Sequence, residues 1–145
     1  MATLAADNAT LVAAGGVSTI IQGLVDGRVK AMLDSYTIGG STETSGSTLD
    51  IGGNIPKGAH IIAIILYVSA AQTSLTVDIG DDEDADRYAA ASTSLQSAGT
   101  YVFSGQNYNV DMTTASTPDN QIVLTTGGAT MTAGQLEAVV LYTID

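Results

Sequence analysis

The densest group of side chains able to do chemistry in this chain is a run of acids. Six of them fall within nine positions of the segment Asp78 to Tyr88 (DIGDDEDADRY): Asp78, Asp81, Asp82, Glu83, Asp84 and Asp86. Three readings are open. Charge runs usually face water, so the segment reads as a solvated loop after a strand. Clustered carboxylates also offer hard oxygen ligands, and Asp81, Asp82, Asp84 and Asp86 are candidates for holding Ca²⁺. The spacing is not that of an EF-hand, because the closing glutamate and the flanking helices are missing. A carboxylate pair flanking a glycosidic bond is the third reading. It lacks the Trp platform that sugar sites use, since the chain has no Trp. Arg87, beside the cluster, is expected to pair with one carboxylate and pin the loop, for about 0–1 kcal/mol if exposed.

Other chemistry is scarce. The sole histidine, His60, opens an apolar strand and reads as structural rather than as a base. No serine sits in a G-x-S-x-G elbow, and neither lysine of a candidate phosphate loop fits, because Lys30 follows Val29 and Lys57 follows Pro56. One histidine cannot build H-E-x-x-H. The absence of Cys removes thiolate chemistry, disulfides and cysteine zinc sites. The chain is therefore expected to be no enzyme and to carry no cofactor.

Four basic against fifteen acidic residues leave a net charge of -11. Four cations do not neutralise a run of phosphates, so neither nucleic acid nor an anionic membrane is an expected partner. The 145 residues suit one domain with a real core. The most apolar run, Ala59 to Val68, is ten residues long, where a spanning helix needs about 20. No signal peptide is legible at the N-terminus, and synthesis in the cytoplasm is the default expectation.

These residues must be positioned by strands. Residues 1–27, rich in Ala, Gly and Thr, are expected to be an N-terminal arm or short helix, with a frayed tail as the other reading. In it Val17, Ile20, Ile21, Leu24 and Val25 recur at helical spacing, with Ser18 placed to cap. From residue 28 to 145 the period is two. Strands are expected at Arg28–Ile38, Thr48–Ile51, Ala59–Val68, Leu75–Ile79, Thr100–Phe103, Tyr108–Met112, Gln121–Thr126 and Gln135–Ile144. A second helix is expected over Arg87–Leu95, where Ala89, Ala90 and Ala91 favour it. About eight strands separated by Gly, Asn and Ser turns predict an all-β fold. It would be an antiparallel β-sandwich or jelly roll with an N-terminal arm.

One strand breaks the usual alternation. Strict parity over Ala59–Val68 puts Ala59, Ile61, Ala63, Ile65 and Tyr67 on one face, and Ile62, Ile64, Leu66 and Val68 on the other. Both faces are apolar, so one needs cover. The last strand repeats this more weakly, with Val139 and Leu141 behind Leu136, Ala138, Val140 and Tyr142. The interface candidates are therefore Val17, Ile20, Ile21 and Leu24 in the arm, and Ile62, Ile64 and Leu66 in the strand. Burial inside the monomer and contact with another chain both remain open.

Four segments carry a resemblance. Gly27 to Tyr36 (GRVKAMLDSY), Ser47 to Gly52 (STLDIG), Ile55 to Val68 (IPKGAHIIAIILYV) and Leu75 to Tyr88 (LTVDIGDDEDADRY) resemble small virion proteins of tailed bacteriophages, over residues 27 to 88. The resemblance implies a capsid decoration or cement protein. Such a protein would be a β-sandwich or jelly roll, a homo-oligomer and often a trimer. It would sit on the outer surface of the head and bind the major capsid protein. It implies no catalytic residues. A head-fibre or tail module that binds a receptor or carbohydrate is the alternative, against which the missing Trp again counts.

Overall fold

A computed structural model describes residues 29–39, 43–56, 58–81, 83–105 and 120–144. Eight strands follow in order: β1 Val29–Ile38, β2 Thr48–Ile55, β3 His60–Val68, β4 Thr76–Gly80, β5 Ala89–Ser92, β6 Gly99–Ser104, β7 Asn120–Gly127 and β8 Gly134–Thr143. They form two antiparallel four-stranded sheets, ordered β1-β8-β3-β6 and β2-β7-β4-β5. All consecutive strands but β4 and β5 lie in opposite sheets. This is the double Greek-key order of a jelly roll, one of the two antiparallel architectures that the period-two pattern allows.

The core lies between the sheets. Ile61, Ile64, Leu66, Val68, Leu136 and Val140 meet Ile51, Ile55, Val77, Ile79, Ile122 and Leu124 there. Leu75, Val77 and Ile79 point inward as their alternation requires, while Thr76 and Asp78 point out. Beside the core, Gln72 is fully buried and fully used. Its amide donates to the Ala70 and Ala133 carbonyls, each at 2.8 Å, and its oxygen accepts from the Thr132 N–H at 2.8 Å. It ties two loops together without leaving a buried polar group unpaired.

Two expectations are corrected. Residues 89–92 form β5, not a helix. The N–H of Tyr88 donates to the Ile79 carbonyl at 2.8 Å, and Ala89 pairs with Ile79. The free edge of β4 outweighs the weak helix preference of three alanines. Ala91 takes φ of 46° and is held there by its N–H donating to Asp78 Oδ1 at 2.6 Å. Only Ser94–Gln96 turns, as a short 3₁₀ element. The second correction concerns β3, where strict parity fails. Its pairing with β8 shifts register between Ile61 and Ala63. That bulge puts Ala59 and Ile61 inside, then Ile64, Leu66 and Val68 inside, and turns Ile62 outward. The arm at 1–27 and the expected strand Tyr108–Met112 lie outside the described residues.

Candidate interaction surface

The outer faces of the two sheets differ in chemistry. On the β2-β7-β4-β5 sheet the outward positions are Thr48, Asp50, Thr76, Asp78, Val123 and Thr125. That is the polar alternation expected of a wet face. On the β1-β8-β3-β6 sheet the register instead lines up an apolar row across all four strands: Leu33 opposite Val139, Val139 opposite Ile65, and Ile65 opposite Val102. The next row reads Ala31, Leu141, Ala63, Ser104. Leu33 is 77% exposed, Val102 67%, Val29 60%, Ile62 41% and Tyr67 40%. Glu137, in the row of Ser35 and Tyr67, is the one acid on this face among the described residues of its strands. Lys30 and Asp34 share the opposite face, across from Tyr142 and Ala138. A contiguous apolar face of this kind is a candidate interaction surface.

The strand candidates divide accordingly. Ile62 lies on this surface. Ile64 and Leu66 do not, because the bulge places them in the core with no exposure. Val17, Ile20, Ile21 and Leu24 lie outside the described residues. Val29, Leu33 and Val102, also exposed here, were not among the interface candidates. The available signal was that β1 is apolar on both sides, with Val29, Ala31 and Leu33 opposed to Met32, Tyr36 and Ile38.

The acidic segment is a built loop rather than a loose run. Asp81 is buried, and its carboxylate accepts from the N–H groups of Glu83 at 3.1 Å and Asp84 at 3.0 Å. It also accepts from Arg87 Nε at 2.6 Å and from the Tyr88 hydroxyl at 3.4 Å. Arg87 reaches Glu83 at 3.8 Å as well. The expected arginine clamp thus exists, on Asp81. The loop turns back so closely over Gly80 that a Cβ there would lie 2.0 Å from the Asp84 carbonyl oxygen. Asp84, hydrogen-bonded to Asp86 and of like charge, raises the Asp86 carboxyl above its usual range.

A carboxylate saturated by protein donors and facing a guanidinium has little left to offer a cation. Among the described residues, no three His, Cys, Asp or Glu side chains are placed to hold a metal ion, and Asp82 lies outside them. The expected result is therefore an unchanged melting temperature when EDTA replaces Ca²⁺ in a thermal melt. A drop of several degrees would restore the calcium reading.

Among the described residues no acid completes a hydrolytic triad on His60. Its Nδ1, the atom that a triad bonds to its acid, is buried with no hydrogen-bond partner among the described residues. A cleft of about 410 Å³ is lined by Tyr36, Glu43, Ser47, Leu49, Thr126 and Met131. Glu43 is a structural clamp there. Its carboxylate accepts from the Tyr36 hydroxyl and from the Gly39 N–H, and its carbonyl accepts from the Met131 N–H at 3.0 Å.

No protein-family model matches the chain, and no curated protein matches it. Solved structures do. A chain of the cyanophage Pam1 capsid asymmetric unit superposes with a TM-score of 0.67 at 22% identity, over 82% of this chain and 86% of that one. A chain of the Ralstonia phage GP4 capsid gives 0.58 at 20% identity, over 82% and 86%. A chain of the acid-stable capsid of Helicobacter pylori bacteriophage KHP30 gives 0.51 at 13%, over 80% and 87%. At these identities what is shared is the fold.

Proposed function

We propose that this chain is a non-enzymatic structural protein of a bacteriophage virion. Specifically, it is a decoration or cement protein on the outer surface of the head that bridges capsomers of the major capsid protein. The observation that carries this reading is the apolar outer face of the β1-β8-β3-β6 sheet, a surface made to be covered by protein. Two further facts support it. The fold is that of chains found in three phage capsids. Residues 27 to 88 independently resemble small virion proteins in their motifs. The charge fits an outer position, because a net charge of -11 is repelled by packaged DNA.

Bridging works through multiplicity. A homo-oligomer, trimeric as the resemblance implies, can hold several capsomers through individually weak contacts. Linking contacts in this way raises avidity over single-site affinity by about 10²–10⁴. The test is cosedimentation. Purified protein added to shells of the parent phage assembled without it is expected to pellet with them and to raise their disruption temperature. Protein that stays in the supernatant, with shells no more heat-resistant, would refute the proposal.

A further inference from the structure

We infer that Asp34 and Asp78 guard the edges of the two sheets. Each carboxylate holds an outermost strand in a form that does not accept a further strand, so crowded copies do not join edge to edge. The inference stands apart from the structural-protein reading and can fail without it.

The need comes from β1. Among the described residues it pairs only with β8, so its other side is an edge. It has ten residues, as many as any strand of the fold, and carries the exposed side chains of Val29 and Leu33. A long apolar edge offers a row of backbone N–H and C=O groups as a template for another chain. Folded chains counter this with short edge strands, bulges or charges. The four edges here are β1 and β6 in one sheet and β2 and β5 in the other. β6 is short, at six residues. β2 shifts register between Ile51 and Ile55.

On β1 and β5 the device is an aspartate. In the middle of β1, the Ser35 N–H donates to Asp34 Oδ1 at 2.8 Å. An arriving strand has to displace that carboxylate and strip its water, and a charge is costly to desolvate. On β5, between the pairs Val77–Ser92 and Ile79–Ala89, Asp78 faces two residues, Ala90 and Ala91. This is a bulge, and it breaks the even spacing that a new strand would have to match. Ala91 takes a left-handed φ of 46°, which is unfavourable for a residue with a side chain. Asp78 holds it there by accepting its N–H at 2.6 Å. Ala89 to Ala91 have no bulky or charged side chain of their own to block approach. Each guard therefore depends on one carboxylate.

The test uses the full chain and two readouts. In the monomer, amide exchange at Ser35 is expected to quicken about fivefold in Asp34→Ala, and that at Ala91 likewise in Asp78→Ala, the worth of one net hydrogen bond. In agitated solution, the parent is expected to resist fibre formation followed by thioflavin T, and both variants to shorten the lag. Asp34 is exposed, so Asp34→Ala should keep the parent's urea midpoint. Two controls separate the edge contact from its side effects. Asp86→Asn removes the same charge away from both edges. Gly46→Ala lowers stability without removing either contact. Both should keep the parent's lag. The inference is overturned if the guard variants keep it too, if either control shortens it as much, or if the parent forms fibres as readily as the variants.

Discussion

Asp81→Ala is expected to lower folding stability by about 3 kcal/mol, seen as a reduced urea midpoint with an unchanged slope. The loss has two sources. Removing the carboxylate leaves the N–H groups of Glu83 and Asp84 without their acceptor, and both lie in a turn with little freedom to reorient. It also takes from the Arg87 guanidinium its shortest contact, Nε to Asp81 Oδ2 at 2.6 Å, and leaves it only the longer pair with Glu83 at 3.8 Å among the ion pairs described. A charge deprived of a buried partner costs more than the pair contributed. The Arg87 side chain remains 21% exposed, so water recovers part of that cost, and the figure sits at the lower end of the range. Asp81→Asn keeps an acceptor for the turn and is expected to lose roughly half as much. Asp86→Asn supplies the opposite control. The Asp86 carboxyl is raised by Asp84, so in the folded state its charged form is disfavoured. Removing that charge should not destabilise. Equal losses at Asp81 and Asp86 would show that the loop is only a solvated run.

This loop shows how far local sequence reached. Six acids beside one arginine announced a loop and a clamp, but not which acid was clamped. Asp81 is chosen because it directly follows β4, where Gly80 permits the chain to double back and bury it. Strand positions with clean alternation, such as Leu75, Val77 and Ile79, were legible because burial on one face dictates residue type. β5 was not, because Ala89 to Ala91 carry no strand signal. What makes them a strand is the unpaired edge of β4, a property of the assembled sheet.

The interaction surface was legible as a need and not as a place. Apolar residues on both sides of Ala59–Val68 showed that a second face wanted cover. Counting by twos then assigned Ile62, Ile64 and Leu66 to one side. The two faces cannot be sorted by parity once the strand carries an extra residue. Nothing in a run of Ile, Ala and Leu marks where that residue sits. The register came instead from β8 and β6, which are distant in sequence. The same long-range pairing brought Leu33 of β1 and Val102 of β6 into one row with Ile65, which no local pattern could reveal.

The residue that holds this register is Gly105, and Gly105→Ala is expected to cost about 3 kcal/mol. Its N–H donates to the Ile62 carbonyl at 2.9 Å, at the bulge itself. A Cβ at Gly105 would lie 2.3 Å from the Ile61 carbonyl oxygen and 2.6 Å from Ile61 Cγ2. The backbone of one strand end thus rests directly on the extra residue of its neighbour. An added methyl must push β6 from β3 or flatten the bulge. Flattening shifts the parity of β3, which turns Ile61 or Ile64 toward water and draws Ile62 inward, so the substitution acts on the core and on the apolar face together. Gly46 is the contrasting case. It has φ of 89° with nothing within 4 Å of an added Cβ, so Gly46→Ala should cost only the conformational strain of about 1 kcal/mol. Urea denaturation of the two variants separates close approach from backbone strain. Near-equal losses would mean that Gly105 does not brace the bulge and that Ile62 owes its outward position to something else.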